Sequence, residues 1–238
     1  MKTLVVVPTY NEADNIASFS AAVLAVHRPE LEMLIVDDAS PDGTGPIIDR
    51  LVAEQDRVHG LHRSGRRGLG RAYIDGFRWA LERGFDRIIQ MDADFSHSPD
   101  YIPTMLAKAH EYEVIIGSRY VPGGGHDQAW EAGRVWLSAW ANIYARTILG
   151  LKVHDATAGY KCWTRAALER IQLDRVKSNG YVFQVEMAYL CQRLGLRVLE
   201  IPIYFEDRRI GQSKMSIPVK LEAAWRVWQV GWRHRAVK

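Results

Sequence analysis

Five short runs rich in β-branched or apolar residues mark the first half of this 238-residue chain: Thr3–Val7, Met33–Val36, Val58–Leu61, Arg87–Met91 and Val114–Gly117. The run at 58–61 is the weakest. Between them lie stretches of helical periodicity, Ala13–His27, Thr44–Gln55, Gly70–Arg83 and Tyr101–His110. Strand alternating with helix predicts an α/β chain, a mostly parallel sheet with helices on both faces. Such sheets bind ligands at the carboxyl ends of their strands. The residues that follow these runs are unusually polar: PTYNE at 8–12, VDDASPDGT at 36–44, MDADFSHSP at 91–99 and GSRY at 117–120.

The second half is less regular. Helical patterns run from about Trp130 to Leu149, Thr164 to Ile171 and Phe183 to Leu194. Arg197–Phe205 reads as a strand interrupted by Pro202, which places it at a sheet edge. A basic, glycine-containing loop follows at Asp207–Ser216, and then a final amphipathic helix at Pro218–Trp232. With no repeat, low-complexity tract or linker, the expectation is one domain over 1–217 with a C-terminal helical element at 218–238.

Composition narrows the function classes. Apolar residues at 47% and charged residues at 25% exclude wholesale disorder. A net charge of +3 is too small to mark a nucleic-acid binder. Cys162 and Cys191 have no metal-ligand spacing and read as core residues in a reducing compartment. The N-terminus lacks a signal-peptide pattern, and no stretch of about 18–20 apolar residues crosses a membrane.

The strand-end carboxylates carry the first chemical argument. In Asp92-Ala93-Asp94, alternation sends both carboxylates the same way, so two hard oxygen ligands converge as Mg²⁺ or Mn²⁺ requires. Alone, such a pair is also a common solvated turn; its position after an apolar strand favours the metal. Asp37-Asp38 repeats the arrangement, with Asp38 suited to a ribose or base edge and Asp42 to capping a turn. Gly68-Leu69-Gly70 lacks the Lys-Ser/Thr of a phosphate loop and reads as a helix start beside the nucleotide. His97 reads as structural.

Together with GLGRAYIDGF at 68–77, DATAGYK at 155–161, SNGYVFQVEM at 178–187 and FEDRRIGQSKM at 205–215, these motifs resemble the family 2 glycosyltransferases of GT-A fold. Within that family they are most similar to the dolichyl- or polyprenyl-phosphate mannosyltransferases. The resemblance implies that Pro8, Tyr10 and Glu12, with Val36 and Asp38, contact the nucleobase and ribose. It implies that Asp92 and Asp94 hold the metal and diphosphate, with Ala93 contributing backbone. Ser96 stands where some relatives place a Gln ligand; its shorter side chain leaves it a contact through water. Arg208 and Lys214 match a basic loop that closes over the donor diphosphate and excludes water; Arg208→Ala is expected to lose most turnover while folding normally.

The implied partners are GDP-mannose and a polyprenyl or dolichyl phosphate, and the implied cofactor is Mg²⁺ or Mn²⁺. A lipid phosphate is largely dianionic at pH 7, since its second pKa is about 6, and needs little or no general base. It needs cationic partners, and Arg119 and Arg134 are the candidates for a bidentate grip on it. A single displacement would invert the anomeric carbon. With Asp94, these two arginines form the expected catalytic set. Two other readings stay open: a UDP-glucose-dependent enzyme using the same lipid class, and a silent nucleotide-sugar-binding subunit.

The chain has eight Trp against six Phe, and six of the Trp fall at 130, 136, 140, 225, 228 and 232. Leu221, Trp225, Trp228 and Trp232 share one helical face, and no acidic residue occurs from Ala223 onward while Arg226, Arg233, Arg235 and Lys238 do. Such a segment is a core helix packed against the sheet, a partner interface, or a membrane-surface element. The expectation is peripheral attachment at the cytoplasmic face, directly or through a separate membrane-anchoring subunit.

Overall fold

The computed structural model describes residues 1–26, 28, 30–65, 67–127, 132–206 and 217–237. Strands β1 (Thr3–Thr9), β2 (Leu31–Asp37), β3 (Val58–His62), β4 (Arg87–Gln90) and β5 (Val114–Ser118) coincide with the five runs. Helices α1 (Ile16–Leu24), α2 (Thr44–Glu54), α3 (Leu69–Glu82) and α4 (Ile102–Lys108) occupy the stretches between them. After the two-residue β6 (Gly125–His126) come α5 (Ala132–Leu149), β7 (Lys161–Thr164), α6 (Arg165–Ile171) and α7 (Gly180–Arg193). The chain ends with β8 (Val198–Pro202), β9 (Tyr204–Phe205) and α8 (Ile217–His234).

The main sheet has the order β3-β2-β1-β4-β7-β5-β8. All its pairings are parallel except those of β7, which runs antiparallel to both β4 and β5. This four-residue strand is absent from the sequence-based expectation: Lys-Cys-Trp-Thr is too short for a period to show, and it follows directly on a loop motif. β8 lies at the sheet edge and ends at Pro202, where a missing N–H costs no ladder bond. β9 leaves the sheet to pair with β6.

Both faces of the sheet are covered, which is why the strands read as continuous apolar runs. Leu4, Val6, Leu34 and Val36 pack against Tyr73, Phe77 and Phe183 from α3 and α7. Their sequence neighbours Val5, Val7, Met33 and Ile35 pack against Phe19, Ile48 and Met105 on the opposite face. Cys162 and Cys191 are both buried and free. A third cluster joins α5, α7 and α8 through Ala145, Leu149, Val182, Val185, Val227 and Val230.

α3 approaches β1 at Gly76, where a Cβ would lie 2.4 Å from Val6 Cγ1. Gly76→Ala is therefore expected to destabilise the fold by about 1–3 kcal/mol through overpacking, although alanine is the better helix former. Urea unfolding measures this, and a stabilised variant would show that the helix shifts freely.

Candidate active site

The parallel register brings the acidic strand ends together. Thr9 pairs with Asp37 at the last rung of β1 and β2, and β4 runs parallel to β1 on its other side. Pro8, Tyr10, Glu12, Asp38, Asp92, Ala93 and Asp94 therefore emerge at one edge. Just beyond these three strands stand Asn11, Ala39 and Phe95, non-glycine residues in the left-handed region at φ 60, 56 and 63°. Each such residue costs about 1–3 kcal/mol, and their grouping at one sheet edge marks a site rather than a turn.

Asp38 is buried, and its carboxylate is fully organised by the protein. Oδ2 accepts from the Gly68 N–H at 2.6 Å, and Oδ1 pairs with Arg63. Arg63 in turn donates through Nε to Asp75 at 2.7 Å. Nothing in the sequence singles out Arg63, which lies 25 residues from its partner. Arg67 caps the neighbouring strand end by donating to the Tyr10 hydroxyl and the Ala39 carbonyl, both at 2.8 Å. Val36 turns its side chain into the core beside Gly76, so its exposed contribution to this edge is backbone. Asp42 caps α2, accepting from Thr44 N at 3.1 Å and Thr44 Oγ1 at 2.6 Å.

Gly68 opens α3 with φ +146°, and a Cβ there would lie 1.8 Å from Asn179 Nδ2. Asn179 Oδ1 accepts from Gly70 N at 2.8 Å. The glycine pair thus lets the 177–179 turn sit against the start of α3, which fixes the N–H that holds Asp38.

Asp92 is half-exposed and Asp94 is buried. Tyr73, a fully buried phenol, donates to Asp92 Oδ1 at 2.7 Å. Burial, reinforced by the Asp92 and Asp94 charges, raises the Tyr73 hydroxyl well above its ordinary pKa, so it remains a donor. The Asp92 N–H donates to His97 Nδ1 at 3.0 Å, which requires that nitrogen to be unprotonated. Burial lowers the His97 pKa against the opposing pull of Asp92 and Asp94. His97 is therefore a neutral brace under the carboxylates, stacked on Tyr160 with ring centroids 5.0 Å apart. Gly159 permits the approach: a Cβ there would lie 3.0 Å from His97 Cε1 and 3.4 Å from Asp92 Oδ2.

Oxygen chemistry at this edge fits a hard cation. Ser96 N donates to Asp94 Oδ1 at 3.1 Å, while Ser96 Oγ is fully buried with no hydrogen-bond partner among the described residues. Among the described residues no group of three or more His, Cys, Asp or Glu side chains forms a metal cage. Two carboxylates without a cage suit Mg²⁺ or Mn²⁺, which complete their shells with water and substrate phosphates.

On the other flank, Asp155 is wholly buried and clasps Arg119. It accepts from Arg119 N at 3.1 Å, Nε at 2.8 Å and Nη2 at 2.8 Å. Nη2 also donates to Thr157 Oγ1 at 2.7 Å, leaving Nη1 with no hydrogen bond among the described residues. Burial would raise Asp155 and lower Arg119; their ion pair reverses both, so Asp155 lies below its ordinary range and Arg119 above. Arg134 falls in the first turn of α5, its side chain outside the described residues, as are Arg208, Lys214, Trp130 and the whole 207–216 loop.

Lys161 sits beneath these groups with no exposure. Its Nζ donates to the Ala158 carbonyl and to Gln184 Oε1, and Gln184 also accepts from Gln90 Nε2 at 2.8 Å. Burial pulls its pKa down to about 8, while Asp155 and Asp92 act against that shift. Sequence reading placed Lys161 within a motif without giving it a role; its apolar strand neighbours hide a buried amine.

A parallel sheet with an Asp-x-Asp edge on β4, a second carboxylate beside it on β2 and one antiparallel strand set into its middle defines a glycosyltransferase of the GT-A fold. The family model described as "Glycosyl transferase family 2" matches residues 4–172, and the chain belongs to that family. It is 45% identical to the undecaprenyl-phosphate mannosyltransferase of Micrococcus luteus, over 97% of this chain and 94% of that protein. It is 44% identical to the polyprenol monophosphomannose synthase of Mycolicibacterium smegmatis, over 98% and 88% respectively. In fold it is similar to the glucosyl-3-phosphoglycerate synthase of Mycobacterium tuberculosis solved with Mn²⁺, UDP and phosphoglyceric acid. That likeness has a TM-score of 0.68 at 16% identity, covering 100% of this chain and 79% of that one.

Proposed function

We propose that this glycosyltransferase moves mannose from GDP-mannose to a polyprenyl phosphate, inverting the anomeric carbon and giving polyprenyl-phosphate β-mannose and GDP. The observation that carries this reading is the near-full-length identity of 45% and 44% to two bacterial enzymes named for that class of reaction. The site chemistry agrees with it. Pro8, Tyr10, Glu12, the Val36 backbone and Asp38 line the strand ends where the guanosine would lie. Asp38 arrives there already oriented by Arg63 and the Gly68 N–H, so accepting from a ribose hydroxyl requires no reorganisation.

Asp92 and Asp94 would hold Mg²⁺ or Mn²⁺, with Ala93 backbone alongside and Ser96 in reach through water. Bound there, the cation would supply charge neutralisation for the diphosphate leaving group. A phosphate oxygen of the lipid forms the new bond to the anomeric carbon as the sugar–diphosphate bond breaks, and no proton has to be removed. Arg119, gripped by Asp155 on one edge, offers Nη1 on the other as a fixed cationic donor, with Arg134 assigned to the same acceptor phosphate. Arg208 and Lys214 are assigned to the donor diphosphate. No helix among the described residues is long and apolar enough to cross a membrane. Peripheral attachment at the cytoplasmic face belongs to the same reading, since the acceptor is a membrane lipid.

The deciding experiment offers GDP-mannose and UDP-glucose separately, each with polyprenyl phosphate, with and without Mg²⁺ or Mn²⁺. Metal-dependent transfer from GDP-mannose is expected. Transfer from UDP-glucose alone would overturn the mannose assignment, and transfer indifferent to chelator would overturn the role of Asp92 and Asp94.

A further inference from the structure

A lysine shut away from water without a counter-ion needs a reason. Lys161, the first residue of β7, is fully buried, and among the described residues no carboxylate pairs with it. Its acceptors are neutral, the Ala158 carbonyl and Gln184 Oε1. Asp155, six residues earlier, is engaged by Arg119 instead. An isolated buried ammonium is costly, and an apolar side chain of similar volume would make a more stable core.

The groups around the amine fix its place. Gln184 Oε1 accepts from Lys161 Nζ at 2.6 Å and from Gln90 Nε2 at 2.8 Å, and Gln90 Oε1 accepts from Trp163 Nε1 at 3.2 Å. All four side chains are buried. An ammonium only donates, so Gln184 must turn its oxygen toward Lys161, and the amide of Gln90 follows. The network therefore joins β4, β7 and α7 in a single orientation. Burial brings the amine down to about 8, which leaves it mostly protonated at pH 7.

Position gives that charge a use. Ala158 lies in the loop whose Asp155 accepts three hydrogen bonds from Arg119 and whose Thr157 accepts a fourth. The loop continues through Gly159, where a Cβ would lie 3.4 Å from Asp92 Oδ2. Lys161 thus stands beneath the segment between the Arg119 flank and the Asp92 edge, and both Asp155 and Asp92 favour its charged form. A site that receives a diphosphate and a dianionic lipid phosphate side by side gains from a fixed positive charge that no protein carboxylate neutralises.

We propose that Lys161 is a positioning residue for the acceptor phosphate: its unpaired charge, fixed by Ala158 and Gln184, acts with Arg119 to draw a dianion onto this flank. The inference rests on the reading of a lipid phosphate as acceptor. It gives that site a further cation which, being fully buried, works through the protein rather than by contact.

The test measures binding, with no turnover required. Isothermal titration calorimetry at pH 7, with GDP and Mn²⁺ present, compares a water-soluble short-chain prenyl phosphate with its monoanionic methyl ester. Lys161→Met is expected to weaken the dianion about tenfold and the monoanion only about threefold, because a Coulomb energy scales with the charge of the ligand. Gln184→Glu is the companion variant. Its carboxylate can still accept from Lys161 Nζ and Gln90 Nε2 but cancels the charge, so it should weaken binding to a similar extent. A loss confined to Lys161→Met would make the lysine a hydrogen-bond donor only, and equal losses for the two ligands would make it a structural residue. Either result overturns the proposal, as does unchanged binding by a folded Lys161→Met. Should Lys161→Met fail to fold, Gln184→Glu decides by the same comparison of ligands, since it keeps both acceptor bonds. Wild-type binding of prenyl phosphate without transfer from GDP-mannose leaves the role of Lys161 standing and removes the mannosyltransferase reading. No binding by the wild-type chain overturns both.

Discussion

Replacing Asp94 by asparagine is expected to cut mannosyl transfer about a thousandfold while leaving the fold intact, a barrier increase of about 4 kcal/mol. The side chain is almost fully buried at the end of the central strand, where Oδ1 accepts the Ser96 N–H. An asparagine carbonyl can keep that hydrogen bond, so the turn survives. What the amide lacks is the negative charge that, in the proposed role, would hold a divalent cation against the donor diphosphate. Asp92→Asn should behave alike, because the Tyr73 hydroxyl can still donate to the retained oxygen. Two readouts separate this role from a structural one. Mn²⁺ affinity measured with GDP present should fall with turnover, and raising Mn²⁺ should recover part of the activity. A variant that folds, binds Mn²⁺ normally and transfers at the wild-type rate would remove the carboxylate pair from the chemistry.

That the strand-end motifs assigned to the donor converge was legible in the sequence because parallel strands convert order along the chain into proximity at one edge. Once Thr3–Val7, Met33–Val36 and Arg87–Met91 are read as neighbouring strands, PTYNE, VDD and DAD must meet. Local pattern also located the edge strand, through Pro202, and the capping role of Asp42. Partners held at long range were not legible. Arg63 reaches Asp38 across the start of α3, and Asp155 reaches Arg119 over 36 residues, with no periodicity to signal either. β7 was missed because four residues of strand carry too little pattern to stand out from the preceding loop. Glu186 was hidden for a related reason: it lies in a helix buried nearly all round, so its neighbours show no polar face to give it away.

That carboxylate governs the second large expected effect. Glu186→Ala should cost about 3–5 kcal/mol of stability, the loss typical when one partner of a buried ion pair is removed. Glu186 is fully buried and accepts from Lys177 N at 3.1 Å, Ser178 N at 2.7 Å, Arg233 Nη1 at 3.0 Å and His234 Nε2 at 2.7 Å. It therefore fastens the end of α8 to α7 and to the turn whose Asn179 holds the start of α3. Deletion leaves Arg233, His234 and two backbone donors without their acceptor. Burial would raise the Glu186 pKa; hydrogen bonds from His234 and Ser178, with the His234 charge, instead hold it below the ordinary carboxylate range. A carboxyl depressed in the folded state stabilises fully above its unfolded pKa, about 4.3, and loses that contribution as pH falls through the folded value. The stability gap between wild type and Glu186→Gln should thus be widest above about pH 5 and narrow as the medium is acidified further. Urea unfolding across pH 3–7, by tryptophan fluorescence, measures both the gap and its slope. A gap below about 1 kcal/mol at neutral pH would mean that the pair is no better than an exposed one, and that contacts such as those of Val227 and Val230 do most of the work of holding α8.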